Sequence, residues 1–436
     1  IFFLSILFVG TIVYFLREYR IRFLLVLFGV MWLVGTISPS STKAIEIDLE
    51  KSHQAVTSLP PYIHIVLDEH IGVEGIPTSH DENNEFSLKL KKKYTDQGFL
   101  TFGRAYSRFA KTEYSFDSFL NFRSSYNPNL VKENLRNGRR LLPDYIPNYV
   151  PNTLFDILTK RGYIINTFSA GGIPLCNNNT TYRFGRCVNT GNGGLKLYHD
   201  GVFILYSFAR KMRLLNMYDL VATKFGMPEV NFRMYPQTLN VLTSANKFVD
   251  FLGEGKRGNA YFIHLLFPHS PYLLDETCSY NYDGNFFERE KTDVVYARYI
   301  KQTKCAHTLV DKIINKLDTN SEAQDSTIVI HGDHGSRIPW KRDGTASFST
   351  EEYIQWFSTF FSVRSPTLTP GYDRRPFALD ELLKVSTHLK PDFIALEEKQ
   401  EKFVYSFPKT DASNRSLPHE KFTLPPFANG SRTQAW

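Results

Sequence analysis

Six short runs rich in β-branched and aromatic side chains punctuate the chain, at Tyr62–Leu67, Phe99–Tyr106, Tyr163–Phe168, Ala260–Phe267, Ser326–His331 and Thr359–Val363. Bounded apolar runs of this length read as strands. Segments with helical spacing lie between them, at Thr153–Arg161, Leu239–Leu252 and Tyr296–Leu317. In the last, Tyr299, Ala306, Leu309, Val310, Ile313, Ile314 and Leu317 form an apolar stripe that reads as core packing. Alternation of strands and helices predicts an α/β fold with a mostly parallel sheet covered on both faces. Such sheets place their active sites at the carboxyl ends of the strands. The residues that follow each run are therefore the ones to read for chemistry.

Asp68-Glu69-His70 follows the first run. A carboxylate at the end of a buried strand is costly unless neutralised, and a divalent cation would do so, as would a salt bridge or a capped helix. His331-Gly332-Asp333-His334-Gly335-Ser336-Arg337 follows the fifth. Adjacent Asp333 and His334 in a tight glycine-flanked loop can face one ion, and their oxygen and nitrogen donors suit zinc or manganese. Magnesium and calcium are the alternatives. His269 lies between Pro268 and Pro271, just beyond the fourth run, and is a candidate for the substrate or the metal. His264 falls inside that run and is a weaker candidate. After the second run, Lys111-Thr112-Glu113-Tyr114-Ser115 leads into a helix predicted to begin near Glu113. A hydroxyl there sits beside N–H groups able to bind an anion, and a nearby cation would ease its deprotonation. A plain helix cap by Thr112 or Ser115 is the alternative.

The order of these pieces resembles the alkaline phosphatase/sulfatase-like superfamily over roughly residues 60 to 370: strand–Asp, a hydroxyl at a helix start, PHxP, then GDHG. The likeness is greatest to the membrane-anchored branch with lipoteichoic acid synthases and phosphoethanolamine transferases. Sulfatases carry CxPSR where this chain has TEYSFDSFLNF, so Thr112 stands at the cysteine position and Ser115 at the motif serine. The resemblance implies an alkaline phosphatase-like three-layer sandwich. It implies Asp68, Asp333 and His334 as ligands of one divalent ion, Thr112 as a further ligand and the covalent nucleophile, and His269 as the contact to the transferred group or its leaving oxygen. Lys111, Ser115 and Arg337 are candidates for binding substrate. Glu69 could join the ligands, and a slip of register at the nucleophile motif would make Ser115 the attacker. The expected activity is transfer of a phospho-substituent to or from a cell-envelope lipid or glycan through a phospho-threonine intermediate. The alternatives are sulfate ester hydrolysis, against which the missing formylglycine precursor argues, and an inactive sulfatase-fold scaffold.

The first forty residues bear on location. Two apolar runs, Ile1–Phe15 and Phe23 to about Ile37, flank a loop containing Arg17, Arg20 and Arg22. They are expected to be transmembrane helices, the first cut short because the chain starts at Ile1 rather than Met. A signal peptide would show one apolar segment and a small-residue cleavage site. The basic loop should stay cytoplasmic, which places everything after about Ser38 in the periplasm or outside the cell. Residues 38–60 read as a linker, 61–390 as the catalytic domain and 391–436 as a C-terminal extension. The four cysteines suit an oxidising compartment, with Cys176 pairing Cys187 and Cys278 pairing Cys305. The net charge of +7 includes basic stretches at Lys89, Lys91, Lys92, Lys93 and at Arg136, Arg139, Arg140. These suit an anionic membrane surface or a phosphorylated substrate if they are not simply solvated faces. An anionic lipid or glycan is the expected partner, and nucleic acid is not.

Overall fold

The computed structural model describes residues 45–48, 56, 58–124, 152–169, 175, 182–189, 242, 246, 248–252, 255–279, 292–338, 349–398, 402–406 and 420–427. All of them fall in one compact unit drawn from 43–195 and 233–436. The expected membrane helices, Cys176 and the Arg136–Arg140 stretch lie outside the described residues. Among the described residues no helix is long and apolar enough to cross a membrane.

In chain order the elements of the main body are β1 (Ile45–Asp48), β2 (Tyr62–Leu67), α1 (Glu85–Asp96), β3 (Leu100–Phe102), α2 (Thr112–Asn121), α3 (Thr153–Lys160), β4 (Ile164–Ser169) and β5 (Phe184–Asn189). Then come β6 (Asn259–Leu265), α4 (Thr292–Asp318), β7 (Thr327–Gly332), α5 (Thr350–Phe357), β8 (Phe361–Arg364), β9 (Gly371–Asp373) and α6 (Leu379–Ser386). The nine strands form one sheet in the order β1-β5-β4-β6-β2-β7-β8-β3-β9. Strands β5, β4, β6, β2 and β7 pair in parallel. Strand β8 runs antiparallel to both β7 and β3, and β1 runs antiparallel to β5.

Alternation along the central strands sends their side chains into two separate cores. Ile63, Ile65 and Leu67 of β2 pack with Ile263 and Leu265 of β6 against Tyr94 of α1 and Val310, Ile313 and Ile314 of α4. Val66, Phe262 and Val329 point the other way, toward Phe116 and Phe119 of α2, Phe155 of α3 and Leu382 of α6. Helices therefore cover both faces of a mostly parallel sheet, as expected from the strand–helix alternation. The α4 stripe is core, and α4 starts four residues before the expected Tyr296 and ends one after Leu317.

Some sequence expectations shift. The run Phe99–Tyr106 pairs as a strand only over Leu100–Phe102. It leaves the ladder at Gly103, where the chain passes Tyr372 so closely that a Cβ would stand 2.0 Å from its hydroxyl. Thr359–Val363 becomes β8, a strand that runs against its neighbour. Residues 45–48 of the expected linker are instead the edge strand β1, and β5 was not expected at all.

The C-terminal extension supplies a hairpin, β10 (Phe403–Ser406) with β11 (Glu420–Thr423). Val404, Leu424 and Phe427 bury against Tyr106, Trp356 and Phe357. The backbone N–H of Tyr405 donates to the Arg108 carbonyl at 2.8 Å, and the buried Arg108 guanidinium donates to Asp380 at 2.8 Å and to the Phe403 carbonyl at 3.2 Å. The extension is thereby fastened to the segment that leads into α2. Cys278 and Cys305 form a disulfide with Cα atoms 5.0 Å apart, as expected. Cys187 is also disulfide-bonded, while Cys176, its expected partner, lies outside the described residues.

Candidate active site

Strand β2 lies between β6 and β7, and the register sets Leu67 opposite both Leu265 and Gly332. The three loops that follow these strands therefore leave the sheet at one level, bringing together Asp68-Glu69-His70, the loop around His269, and Asp333-His334. The glycines around Asp333-His334 reflect close packing. A Cβ on Gly332 would lie 2.3 Å from the His70 carbonyl oxygen, and one on Gly335 1.9 Å from that of Gln355. Only a residue without a side chain fits such approaches.

Helix α2 begins at Thr112, one residue earlier than predicted, after Lys111 in extended conformation. The Thr112 hydroxyl sits 3.3 Å from His334 Nε2. The Ser115 hydroxyl is buried one turn along, donates to the Asp333 carbonyl and lies 2.8 Å from the Ser107 hydroxyl. It ties α2 to the Asp333 loop, so Thr112, not Ser115, is the hydroxyl beside His334. Lys111, at the helix entry, is partly exposed.

Asp68, Asp333 and His334 each present one atom to a common point, all within 4.8 Å of one another. His334 Nε2 is 3.4 Å from Asp333 Oδ2 and 3.9 Å from Asp68 Oδ1. Ligands about 2.0–2.2 Å from a tetrahedral ion stand about 3.3–3.6 Å apart, so little movement would close the set. Both carboxylates and the imidazole are buried, and Asp68 Oδ1 and Asp333 Oδ2 have no hydrogen-bond partner. Buried carboxyl oxygens left unpaired are costly, and a cation is what such oxygens fit. The neighbouring atoms support that use. Asp333 Oδ1 accepts the N–H groups of Glu69 and His334 at 3.0 and 2.8 Å, which aims Oδ2 inward. His334 Nδ1 donates to the Gly335 carbonyl at 2.8 Å, which leaves Nε2 with its lone pair facing the site.

The electrostatics agree with a site short of positive charge. Burial, then the charge of Asp68, pushes the Asp333 carboxyl up to about 8. Burial alone would raise Asp68 too, but His269, His264 and His334 outweigh it and hold that carboxyl well below the usual carboxylate range. Burial, then Arg337, pulls His334 down to about 4, so it is neutral and able to ligate near pH 7. His264 is buried with Nε2 3.5 Å from Asp68 Oδ2, and neither of its ring nitrogens has a hydrogen-bond partner.

Glu69 takes a different place from the other carboxylates. Its backbone is left-handed, at φ 61°, an uncommon conformation for a side chain of this size. The carboxylate pairs with Arg337 and lies within 3.3 Å of the Ser270 N–H and 3.4 Å of the Tyr272 hydroxyl. Arg337 also reaches His269 Nε2 at 3.1 Å. Burial favours neutral His269, but the carboxylates of Glu69 and Asp68 outweigh burial and raise its pKa. Arg337 and His269 keep about a quarter of their side-chain surface exposed, 27% and 22%, while Glu69 is closed off. They form one wall of the site beside the three inward donors.

Two residues of α4 hold these loops: Tyr299, which the sequence pattern marks only as core, and Gln302, which it does not mark. Tyr299 donates from its hydroxyl to the Glu69 carbonyl at 2.8 Å and accepts the Ile71 N–H at 2.9 Å. Gln302 is fully buried against the loop carrying His269. A carboxamide on the buried face of an apolar stripe, three residues after Tyr299, was the available signal.

The sulfatase family profile matches residues 62–357. The chain belongs to the sulfatase family. It is accordingly an enzyme, and the match takes in every residue of the cluster just described. A search of curated proteins gave no match. Three solved structures similar to this sulfatase-family chain are distant. One, from work on glycosaminoglycan metabolism by Bacteroides thetaiotaomicron, shares 14% identity over 84% of this chain and 83% of that one, at TM-score 0.48. A second is the zinc complex of the C-terminal periplasmic domain of EcEptC from Escherichia coli, with 12% identity over 85% and 94%, at TM-score 0.42. The third is the phosphonate monoester hydrolase SpPMH from Silicibacter pomeroyi, with 16% identity over 80% of each, at TM-score 0.46.

Proposed function

We propose that this sulfatase-family enzyme transfers a phospho-substituent to or from an anionic lipid or glycan of the cell envelope, with Thr112 as the covalent nucleophile. The observation that carries the reading is the convergence of the Thr112 hydroxyl with Asp68, Asp333 and His334 around two buried carboxylate oxygens that lack partners. These residues would hold one divalent ion, zinc or manganese by donor type. Such an ion would lower the proton affinity of a neighbouring hydroxyl and offset charge on the transferred group.

The chain's own residues supply the rest. Thr112 Oγ1, its proton released to solvent, attacks phosphorus as the ester oxygen departs on the far side, leaving the group on threonine. An acceptor hydroxyl, or water, then displaces it from Thr112 Oγ1. Arg337 offers N–H donors to the anionic oxygens, and Glu69 holds that guanidinium in place. His269, whose pKa the carboxylates of Glu69 and Asp68 raise, would give a proton to the departing oxygen. Lys111, at the entry of α2, adds positive charge beside the nucleophile.

An extracytoplasmic catalytic domain fits the Cys278–Cys305 disulfide, and the two apolar runs with their basic loop support an anchor in the cytoplasmic membrane. Sulfate ester hydrolysis is the second reading, favoured by the family itself. Thr112 stands against it, since neither cysteine nor serine occupies the position that formylglycine requires. Side-by-side turnover of bis(4-nitrophenyl) phosphate and 4-nitrophenyl sulfate by the full chain with added manganese or zinc separates the two. Faster phosphodiester cleavage, by about tenfold or more in kcat/KM, is expected. A preference for the sulfate ester would reverse the assignment.

A further inference from the structure

The loop that carries His269 is held from behind by one side chain of α4. Gln302 is fully buried, and its carboxamide uses both ends on residues 268–274. The amide nitrogen donates to the carbonyls of Pro268 and His269, at 3.0 and 2.9 Å. The amide oxygen accepts the N–H groups of Leu273 and Leu274, at 2.9 and 3.2 Å. The two halves of the loop, before and after Ser270-Pro271, are thus joined through a single group. One helical turn further on, the Cys278–Cys305 disulfide fixes the end of the same segment to the same face of α4.

The imidazole of His269 meets the site through two side chains, with the buried Glu69 carboxylate 3.7 Å from its Nε2. Its Nε2 meets Arg337, a partly exposed side chain. Its Nδ1 bonds only to the next carbonyl along, that of Ser270. The position of the imidazole is therefore set largely by the backbone on which it sits, and Gln302 holds that backbone from behind while the Ser270 N–H, at 3.3 Å from the Glu69 carboxylate, ties it from the front.

We propose that Gln302 is a positioning residue for His269. It acts through the loop, touching no substrate, and its four hydrogen bonds define where His269 Nε2 stands relative to Glu69, Arg337 and Thr112. The proposal rests on the role given to His269 above. A leucine at 302 keeps the volume and removes all four bonds. A glutamate keeps the shape and the acceptor, and removes the donation to the Pro268 and His269 carbonyls.

The test is a double-mutant cycle on the full chain, with manganese and bis(4-nitrophenyl) phosphate. Gln302→Leu is expected to lower kcat about 10- to 100-fold when His269 is present, the scale of loss from a misplacement near 1 Å. In a His269→Ala background the same change is expected to cost less than about twofold, because the two act through one another. An equal loss in both backgrounds, or no loss with His269 present, overturns the proposal. If Gln302→Leu does not fold, Gln302→Glu replaces it with the same outcomes expected. A second readout needs no turnover: diethyl pyrocarbonate labelling followed by peptide mapping. His269 should label several-fold faster in either Gln302 variant than in the parent, relative to the exposed His388. Unchanged labelling contradicts the proposal. Activity of Thr112→Ala, measured alongside, shows separately whether the underlying functional reading has failed.

Discussion

Thr112→Ala is expected to lower phosphodiester turnover by about 10³-fold or more, as loss of a covalent nucleophile does. The fold should survive. Thr112 is partly exposed, and its hydroxyl holds no packing role comparable to that of Ser115, which bonds the Asp333 carbonyl. Thr112→Ser should keep measurable turnover, because it preserves the hydroxyl at the start of α2. Ser115→Ala should behave differently from both. It frees α2 from the Asp333 loop, so its cost falls on stability and on metal retention together. Steady-state kinetics on the three variants, with unfolding curves, separates an attacking hydroxyl from one that only braces the loop. Near-parental turnover in Thr112→Ala removes the nucleophile from the account.

The second large effect concerns Asp333 and has opposite signs with and without metal. In the metal-free protein its carboxyl is pushed up to about 8 by burial and by Asp68, well above its ordinary 3.8. A raised folded-state pKa favours the protonated form. Its contribution to stability is full below about pH 4 and is lost as pH rises through about 8. Asp333→Asn removes that loss while leaving an oxygen to accept the Glu69 and His334 N–H groups. Metal-free Asp333→Asn should therefore be more stable than the parent above pH 8, by about 1–4 kcal/mol, with the advantage shrinking on acidification. The same variant should bind divalent ion more than about 100-fold more weakly and should lose turnover. In the parent, ion uptake at pH 7 should release a proton from Asp333 and none from His334, whose pKa lies near 4. Unfolding across pH and calorimetric metal titration check each sign. A metal-free Asn variant less stable than the parent at pH 8.5 would count against an electrostatically strained pair.

These two residues were legible in the sequence for different reasons from those that surround them. Tyr62–Leu67 and its neighbours are buried on both faces, so each appears as an unbroken apolar run, and the polar residue that ends it stands out. Asp68, Asp333 and His334 could be found that way. Strand direction could not, because an apolar run looks the same whichever way it pairs, and β8 turned out antiparallel. Strand β5, Phe184–Asn189, escaped because Gly185, Arg186 and Asn189 interrupt its apolar character. It is held by its ladder to β4 and by the Asn166 side chain, which accepts the Arg186 N–H at 3.0 Å. Neither contact is local in the chain.

The wall of the site was hidden for the same reason. Glu69 meets Arg337 across 268 residues, and no spacing rule links them. The family resemblance makes Glu69 a candidate further ligand. Its left-handed backbone sends the carboxylate away to Arg337, Ser270 and Tyr272. Tyr299 and Gln302 lie in a helix whose stripe reads as core packing, and their hydroxyl and carboxamide serve the loops as well as the core. The sequence pattern reports which face of α4 is buried. It does not report what that face is bonded to.

Anomalous diffraction from crystals of the full chain grown with manganese tests the central claim most directly. The account predicts one peak at the carboxyl ends of β2 and β7, within about 2.0–2.3 Å of Asp68, Asp333, His334 and the Thr112 hydroxyl. A peak held by other residues, or one with Thr112 well beyond bonding distance, would contradict it.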